Sequence, residues 1–277
     1  MQLRAPAKVN LSFRILRRRE DGFHEIETLM TPVSLHDVLT LEISGAAGGL
    51  QFSCDDPTLP TNDDNLVVRA TRLFLDEVQM SPGLSIRLEK RIPHGAGLGG
   101  GSSDAASVLL GLNELLQANL PNDRLAAMAA RIGSDVPFFV FRSAAECSGR
   151  GEIVRPKTLA HTFRLLLLKP ALGVPTAWAY SRWQDSQPLP GIADDAQNFA
   201  GVTFMNDLER PVFEKYVFLA RLKMWLREQA EVGATILSGS GATVLAALRE
   251  GADAAALAAR ARAELAPELW ACACETV

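Results

Sequence analysis

The sequence has 277 residues, of which 48% are hydrophobic and 22% are charged, so it can form one large globular domain or two moderate ones. Its formal net charge of −4 and the lack of a long basic tract argue against nucleic-acid binding as the main function. The N-terminus has no apolar leader and no aliphatic run is long enough to span a membrane, so we expect a cytoplasmic protein with no membrane partner. Four cysteines lack the spacing of a metal site and are expected to be reduced thiols: Cys54, Cys147, Cys272 and Cys274.

The first half of the chain is predicted to begin with strands and to continue with helices and a further strand. Apolar residues that alternate with polar ones indicate half-buried strands, and apolar residues spaced three and four apart indicate helices. In chain order these elements are strands over 9–15 and 38–43 with a turn at 21–24, a helix over 65–78, a strand over 84–88, and helices over 105–117 and 123–131.

The run from Pro93 to Asp104 carries the strongest functional signal. Five of the seven residues 95–101 are glycine, two serines follow, and the segment leads into the predicted helix over 105–117. Glycines let a ligand approach the backbone closely, and a helix N-terminus offers free N–H groups and a positive dipole end. The run therefore predicts a site for a phosphorylated ligand, with a ligand-free glycine turn as the alternative.

Two other phosphate-binding motifs fit this run poorly. The G-x-G-x-x-G pattern of nicotinamide-dependent dehydrogenases is met by Gly95, Gly97 and Gly100. That fold needs a second parallel strand soon after the helix, whereas here Pro121 and another helical segment follow. The pattern G-x-x-x-x-G-K-[ST] is absent because no lysine follows the glycines. A dehydrogenase therefore remains only a third alternative.

The second half mixes strands, turns and helices. In order, we expect turns at 133–137 and 149–151, a buried strand over 163–169, an exposed connection over 185–198, a helix over 209–230, two strands around a glycine turn over 235–245, a helix over 252–265 and a closing strand over 270–277. This mixed order predicts an α+β protein in two lobes, 1–155 and 156–277.

Three segments together resemble the GHMP kinase superfamily of small-molecule kinases. They are residues 6–11, the glycine-serine run, and the sequence Leu-Ser-Gly-Ser-Gly-Ala-Thr at 237–243. The resemblance implies a two-lobed fold with ATP held by the N-terminal lobe and the acceptor in the cleft between the lobes. It also implies Mg²⁺ as the companion of ATP, a small-molecule substrate, no nucleic-acid partner, and a monomer or homodimer.

Three further segments, at 21–25, 64–70 and 133–139, narrow the resemblance to one branch of the superfamily. In that branch the acceptor is a cytidine diphosphate-linked methylerythritol, phosphorylated on its 2-hydroxyl in the non-mevalonate route to isoprenoids. Other members, of the mevalonate or homoserine kinase type, remain the alternative enzymes. A non-catalytic ligand sensor on the same fold is the alternative outside enzymes.

Two residues are implied to carry the catalysis. Asp135 lies on a Gly-Ser-Asp-Val-Pro turn and is the candidate base; from the residues alone, a helix-capping role explains it equally well. Lys8 would keep that carboxylate ionised and stabilise a developing alkoxide.

The nucleotide is implied to lie on the glycine run and on the start of the first helix. Ser102 and Ser103 are the candidate ligands of Mg²⁺, with helix capping as the alternative for each. Asp104 departs from the asparagine that many relatives carry and brings a negative charge close to the phosphates. The implied ATP-binding residues are Asn65, Leu66, Pro93, Gly95, Ala96, Gly97, Leu98, Gly99, Gly100, Gly101, Ser102 and Ser103.

The substrate is implied to contact an aromatic pair and an amide. Phe23 would stack on the pyrimidine, where the family usually has tyrosine, and His24 would bond its polar edge. Tyr180 would supply the second aromatic ring, with Trp178 and Trp183 as alternatives. Asn10 would contact the methylerythritol hydroxyls.

Overall fold

The computed structural model describes residues 1–44, 48–192 and 195–277. Residues 193–194, within the connection predicted over 185–198, lie outside this part of the chain. Over the described residues the strands are β1 (Gln2–Arg18), β2 (His24–Ser44), β3 (Leu50–Cys54), β4 (Gly83–Glu89), β5 (Ala145–Gly149), β6 (Ile153–Pro156), β7 (Arg164–Lys169), β8 (Gln197–Phe199), β9 (Val202–Asn206), β10 (Val232–Leu237), β11 (Val244–Leu248) and β12 (Trp270–Glu275). The helices are α1 (Leu66–Val78), α2 (Gly100–Leu115), α3 (Asn122–Ala130), α4 (Val136–Val140), α5 (Thr176–Trp183), α6 (Glu209–Lys215), α7 (Val217–Arg227) and α8 (Ala254–Glu264).

The described strands form two sheets, which confirms the predicted α+β class. The larger sheet has the order β3-β4-β2-β1-β9-β8, with β5 and β6 attached to β2, and it mixes parallel and antiparallel pairs. The smaller sheet has the antiparallel order β10-β11-β7-β12. Strand β1 pairs in parallel with β9 through Ser12 and Met205, so hydrogen bonding in the larger sheet crosses the lobe boundary predicted near residue 155. That boundary stays a prediction.

The buried core lies in layers on both faces of the two sheets. One cluster joins the larger sheet to α1, α2, α3 and α4, and another joins the smaller sheet to α6, α7 and α8. A third cluster lies between the sheets, where Val9 of β1 and Leu167 of β7 are both fully buried. Successive side chains of a strand point to opposite faces, so Lys8 and Asn10 face away from this third cluster.

The helix predicted over 209–230 is wrong in one respect, because it is two helices with a break at Tyr216. The backbone there has φ −106° and ψ 67°, which is outside the helical region. The Tyr216 ring packs edge-on against Trp178 of α5, with ring centroids 5.7 Å apart. This contact between distant segments outweighs the local helical pattern. Pro211 falls in the first turn of α6, where its missing N–H leaves no helical hydrogen bond unmade.

Several short elements escaped prediction. Helix α5 and strands β3, β8 and β9 carry too few residues to show a clear apolar period. No described helix has the length and apolar character that spanning a membrane requires.

Candidate active site

The glycine run forms the wall of one cavity. It links β4 to α2, and Gly99, with φ +70°, is the residue before the first turn of α2. The cavity has a volume of about 420 Å³. Every predicted ATP-binding residue except Ser103 lines it, including Asn65 and Leu66 at the start of α1.

Ser103 and Asn65 also show how the neighbouring helices begin. Ser103 is fully buried behind the run, and among the described residues its hydroxyl has no hydrogen-bond partner. Asn65 is the N-cap of α1, since its Oδ1 accepts a hydrogen bond from the Val67 N–H at 2.9 Å. Asn65 therefore both caps α1 and lines the cavity.

The glycine run meets the second glycine turn, at 237–243, where Gly97 and Ser238 touch. The Ser238 hydroxyl donates to the Gly97 carbonyl at 3.1 Å. Gly97 has φ +73°, and a side-chain carbon there would lie 2.1 Å from the Ser238 carbonyl oxygen. Only glycine fits this position, because both its backbone angle and its neighbour exclude a side chain.

A buried cluster of charged side chains connects the two ends of the glycine run by hydrogen bonds. Lys90 donates to Asp37 and, at 2.7 Å, to Asp104 in the first turns of α2. Asp37 also accepts the N–H of Ile92, at 2.8 Å, where the run begins. Burial raises the pKa of Asp104 to about 7, an effect that Lys90 opposes and the charge of Asp37 reinforces. The sequence singles out Asp104 but not Lys90, which follows β4, or Asp37, which lies in β2, because only the fold brings these two residues to Asp104.

The two candidate catalytic residues lie side by side. Nζ of Lys8 is 3.8 Å from Oδ2 of Asp135; the lysine side chain is 4% exposed and the aspartate side chain 40%. Asp135 precedes α4 without capping it, so its carboxylate is free to face the cavity. Burial lowers the pKa of Lys8, and the neighbouring Asp135 limits the fall.

Asn10 lies beneath Lys8 rather than on a cavity wall. Its Oδ1 accepts a hydrogen bond from Nζ of Lys8 at 2.6 Å, and its Nδ2 donates to the Thr28 hydroxyl at 2.8 Å. The residue is 1% exposed. Its predicted contact with the substrate remains a prediction. The observed hydrogen bond connects Asn10 to the Lys8 ammonium.

A second cavity, of about 650 Å³, brings together the remaining predicted residues. Asp135 lines it together with Phe23, His24 and Tyr180. Ser102 lines both this cavity and the cavity of the glycine run. A larger cavity of about 730 Å³, elsewhere on the molecule, contains none of the predicted site residues. The chemistry therefore points to the two smaller cavities.

The aromatic residues of the second cavity come from the β1–β2 turn and from α5. The rings of His24 and Tyr180 lie 5.2 Å apart with a tilt of 31°. Trp183 meets His24 edge-on at 6.0 Å but does not line the cavity, and Trp178 packs on Tyr216 instead. Burial, with a smaller effect from Arg18, lowers the pKa of His24 below its usual value, so the ring is neutral at pH 7.

Two arginines of this cavity were missed by sequence reasoning. Arg18 lies at the end of β1, and Arg150 lies in the turn between β5 and β6. The guanidinium carbon of Arg150 is 4.7 Å from the centre of the Phe23 ring. The Gly-Arg-Gly sequence at 149–151 could have signalled a cation displayed on a tight turn, but its proximity to Phe23 depends on the fold.

Comparisons with known proteins agree with this geometry. Residues 65–143 match the family model for the GHMP kinases N terminal domain. The 4-diphosphocytidyl-2-C-methyl-D-erythritol kinase of Methylacidiphilum infernorum (isolate V4) is 41% identical over 244 residues, which are 87% of this chain and 84% of that protein. A crystal structure of 4-(cytidine 5'-diphospho)-2C-methyl-D-erythritol kinase matches with a TM-score of 0.80 and 37% identity over 100% of both chains. The Methanococcus jannaschii mevalonate kinase, with a TM-score of 0.71 and 12% identity over 100% of this chain and 98% of that one, shares the fold alone.

Proposed function

This chain belongs to the GHMP kinases and, among them, to the 4-diphosphocytidyl-2-C-methyl-D-erythritol kinases, and we propose that it phosphorylates the 2-hydroxyl of that cytidylyl substrate. Membership makes it an ATP-dependent phosphotransferase with an alcohol group as acceptor. The identity of the acceptor and the roles of individual residues make up the proposal.

The observation that carries the proposal is the position of Asp135. Its carboxylate lies beside the Lys8 ammonium in a cavity that shares Ser102 with the cavity of the glycine run. A nucleotide bound to the glycine run and an acceptor bound against Asp135 would therefore both lie next to Ser102. Phosphoryl transfer depends mainly on such positioning and on neutralising charge.

Asp135 acts as the base in the proposed reaction. The acceptor hydroxyl gives its proton to an Asp135 oxygen, its own oxygen bonds to the γ-phosphorus, and the bond to the bridging oxygen of ATP breaks to release ADP. Lys8 lowers the cost of negative charge on the hydroxyl oxygen, and Asn10 holds the ammonium in place.

The cavity walls fit a divalent cation that arrives with ATP. Among the described residues, no group of three or more histidine, cysteine, aspartate or glutamate side chains could hold a metal by itself. Mg²⁺ commonly keeps most of its contacts with water and phosphate oxygens, so a single hydroxyl from the chain suffices. Ser102, which lines both cavities, is the residue that would provide it, and the cation would supply charge neutralisation on the phosphates.

Recognition of the cytidine end is assigned to the aromatic residues of the second cavity. Phe23 is 50% exposed and offers a ring face for stacking, while the neutral His24 ring can both donate and accept a hydrogen bond. The Tyr180 ring packs beside the imidazole, with the two ring centroids 5.2 Å apart.

The test is ADP release by the purified protein with Mg-ATP and one of three acceptors. We expect turnover with 4-diphosphocytidyl-2-C-methyl-D-erythritol and none with mevalonate or homoserine. Turnover with either of the other two would keep the family and discard the cytidine site. No turnover with any acceptor, by a protein that still binds ATP, would favour the ligand sensor.

A further inference from the structure

The second cavity carries more positive charge than its proposed catalytic pair accounts for. Asp135 is the carboxylate on its wall, and Lys8 already lies beside that group. Arg18 and Arg150 are two further guanidinium groups on the wall. Glu152 does not line the cavity, but its carboxylate is 3.8 Å from Nε of Arg150 and balances part of that charge. Cations that outnumber the carboxylates on a cavity wall favour an anionic ligand.

Arg150 is held in place by its turn and by Phe23. The flanking Gly149 and Gly151 have φ +73° and +110°, which lets the chain turn tightly on both sides of it. Its backbone N–H donates to Glu152, whose carboxylate is 3.8 Å from Nε. Among the described residues, no hydrogen bond engages the two terminal amino groups of its guanidinium, which are therefore available to a ligand.

The same turn lies between the two ends of the cavity. At one end the Arg150 guanidinium covers the Phe23 ring. At the other end, a side-chain carbon on Gly151 would lie 3.6 Å from Oδ1 of Asp135. A group lying between a base stacked near Phe23 and a hydroxyl at Asp135 must therefore pass Arg150.

We propose that Arg150 binds the diphosphate of the acceptor substrate and thereby selects acceptors that carry this group, an inference that rests on the proposed function. The diphosphate connects the cytidine to the methylerythritol, so it occupies the middle of the substrate. A guanidinium matches phosphate oxygens with paired N–H donors, which an ammonium cannot do. Arg18 adds a second positive charge to the same wall. Arg150 is thus a specificity-determining residue and takes no part in proton transfer.

The experiment measures the binding of cytidine, cytidine monophosphate and cytidine diphosphate by calorimetry, with a non-hydrolysable ATP analogue saturating the glycine run. For the wild type we expect affinity to rise from cytidine to the diphosphate. In Arg150→Ala the affinity for cytidine diphosphate should fall about tenfold, and the affinity for cytidine should stay unchanged. Arg150→Lys should lie between the two. Arg155→Ala, an exposed arginine of β6 outside this cavity, should match the wild type.

Three outcomes would overturn the assignment. If Arg150→Ala keeps the full rise, the diphosphate does not contact this residue. If Arg150→Ala weakens the binding of cytidine as much as the binding of cytidine diphosphate, the arginine only supports the Phe23 ring. If the wild type binds none of the three ligands, the proposed cytidylyl substrate fails, and the Arg150 assignment fails with it. In turnover, the inference predicts that Arg150→Ala raises the KM for the acceptor about tenfold while kcat and the KM for ATP stay within twofold.

Discussion

The Lys8 ammonium and the Asp135 carboxylate lie 3.8 Å apart, yet the first is almost completely buried and the second is open to the cavity. This asymmetry separates their roles. The carboxylate can reach a substrate proton, whereas the ammonium acts on it from behind. Gly239 leaves room for the ammonium, because a side-chain carbon at that position would lie 3.4 Å from Nζ.

Replacing Asp135 with asparagine should abolish most of the turnover. The amide keeps the shape of the side chain but cannot accept the hydroxyl proton, so we expect kcat to fall by about 10²–10⁴-fold. Binding of ATP, measured by calorimetry, should stay within twofold because the glycine run lies in the other cavity. Near-normal turnover in this variant would remove Asp135 from the base role.

The pH profile of kcat should have an alkaline limb set by Lys8. Burial lowers the pKa of Lys8 from the usual 10.5, and a lysine is charged only below its pKa. The charge that assists the reaction is therefore lost at a pH below 10.5, and kcat falls there. Lys8→Arg should move this limb to higher pH, because a guanidinium stays protonated. A limb at the same pH in Lys8→Arg would assign it to another group.

Replacing Asn10 with alanine separates two interpretations of this residue. If Asn10 holds the Lys8 ammonium, as the 2.6 Å contact indicates, kcat should fall about tenfold with little change in the KM for the acceptor. If instead it contacts the methylerythritol hydroxyls, the KM for the acceptor should rise. Asn113→Ala is a matched control, because Asn113 also makes two internal hydrogen bonds but lies away from both cavities.

The buried cluster of Lys90, Asp37 and Asp104 should make stability depend on pH. Two carboxylates share one ammonium there, and burial raises the pKa of Asp104 to about 7, whereas an unfolded aspartate has a pKa of about 3.9. The folded state therefore binds this proton more tightly. The stability it contributes is complete below about pH 3.9 and is lost as the pH rises through about 7.

Urea unfolding at pH 5, 6, 7 and 8 checks this expectation. The free energy of unfolding of the wild type minus that of Asp104→Asn should decrease from pH 5 to pH 7 and level off towards pH 8. The same difference for Asp123→Asn, an exposed residue of α3, should stay flat. A flat difference for Asp104→Asn would mean that Asp104 is already ionised at pH 5.

The sequence motifs were sufficient to predict the family and the α+β class, and both are confirmed. The glycine run could be interpreted from the sequence because neighbouring residues in the chain form the turn, the helix N-terminus and the cavity wall. Arg150 and Lys90 escaped because their partners, Phe23 and Asp37, come from distant segments of the chain. The prediction of a single helix over 209–230 failed for a related reason. The backbone at Tyr216 leaves the helical region where its ring packs against Trp178, a residue distant in the chain.

The parallel pair between Ser12 and Met205 also limits how the chain folds during synthesis. Strand β1 leaves the ribosome long before β9, so one hydrogen-bonding edge of β1 stays open until residues near 205 have been made. The nascent N-terminal part of the chain therefore exposes an edge that can pair with another chain. Chaperone capture before residue 205 has been made would protect it, and the larger sheet is completed only by the second half of the protein.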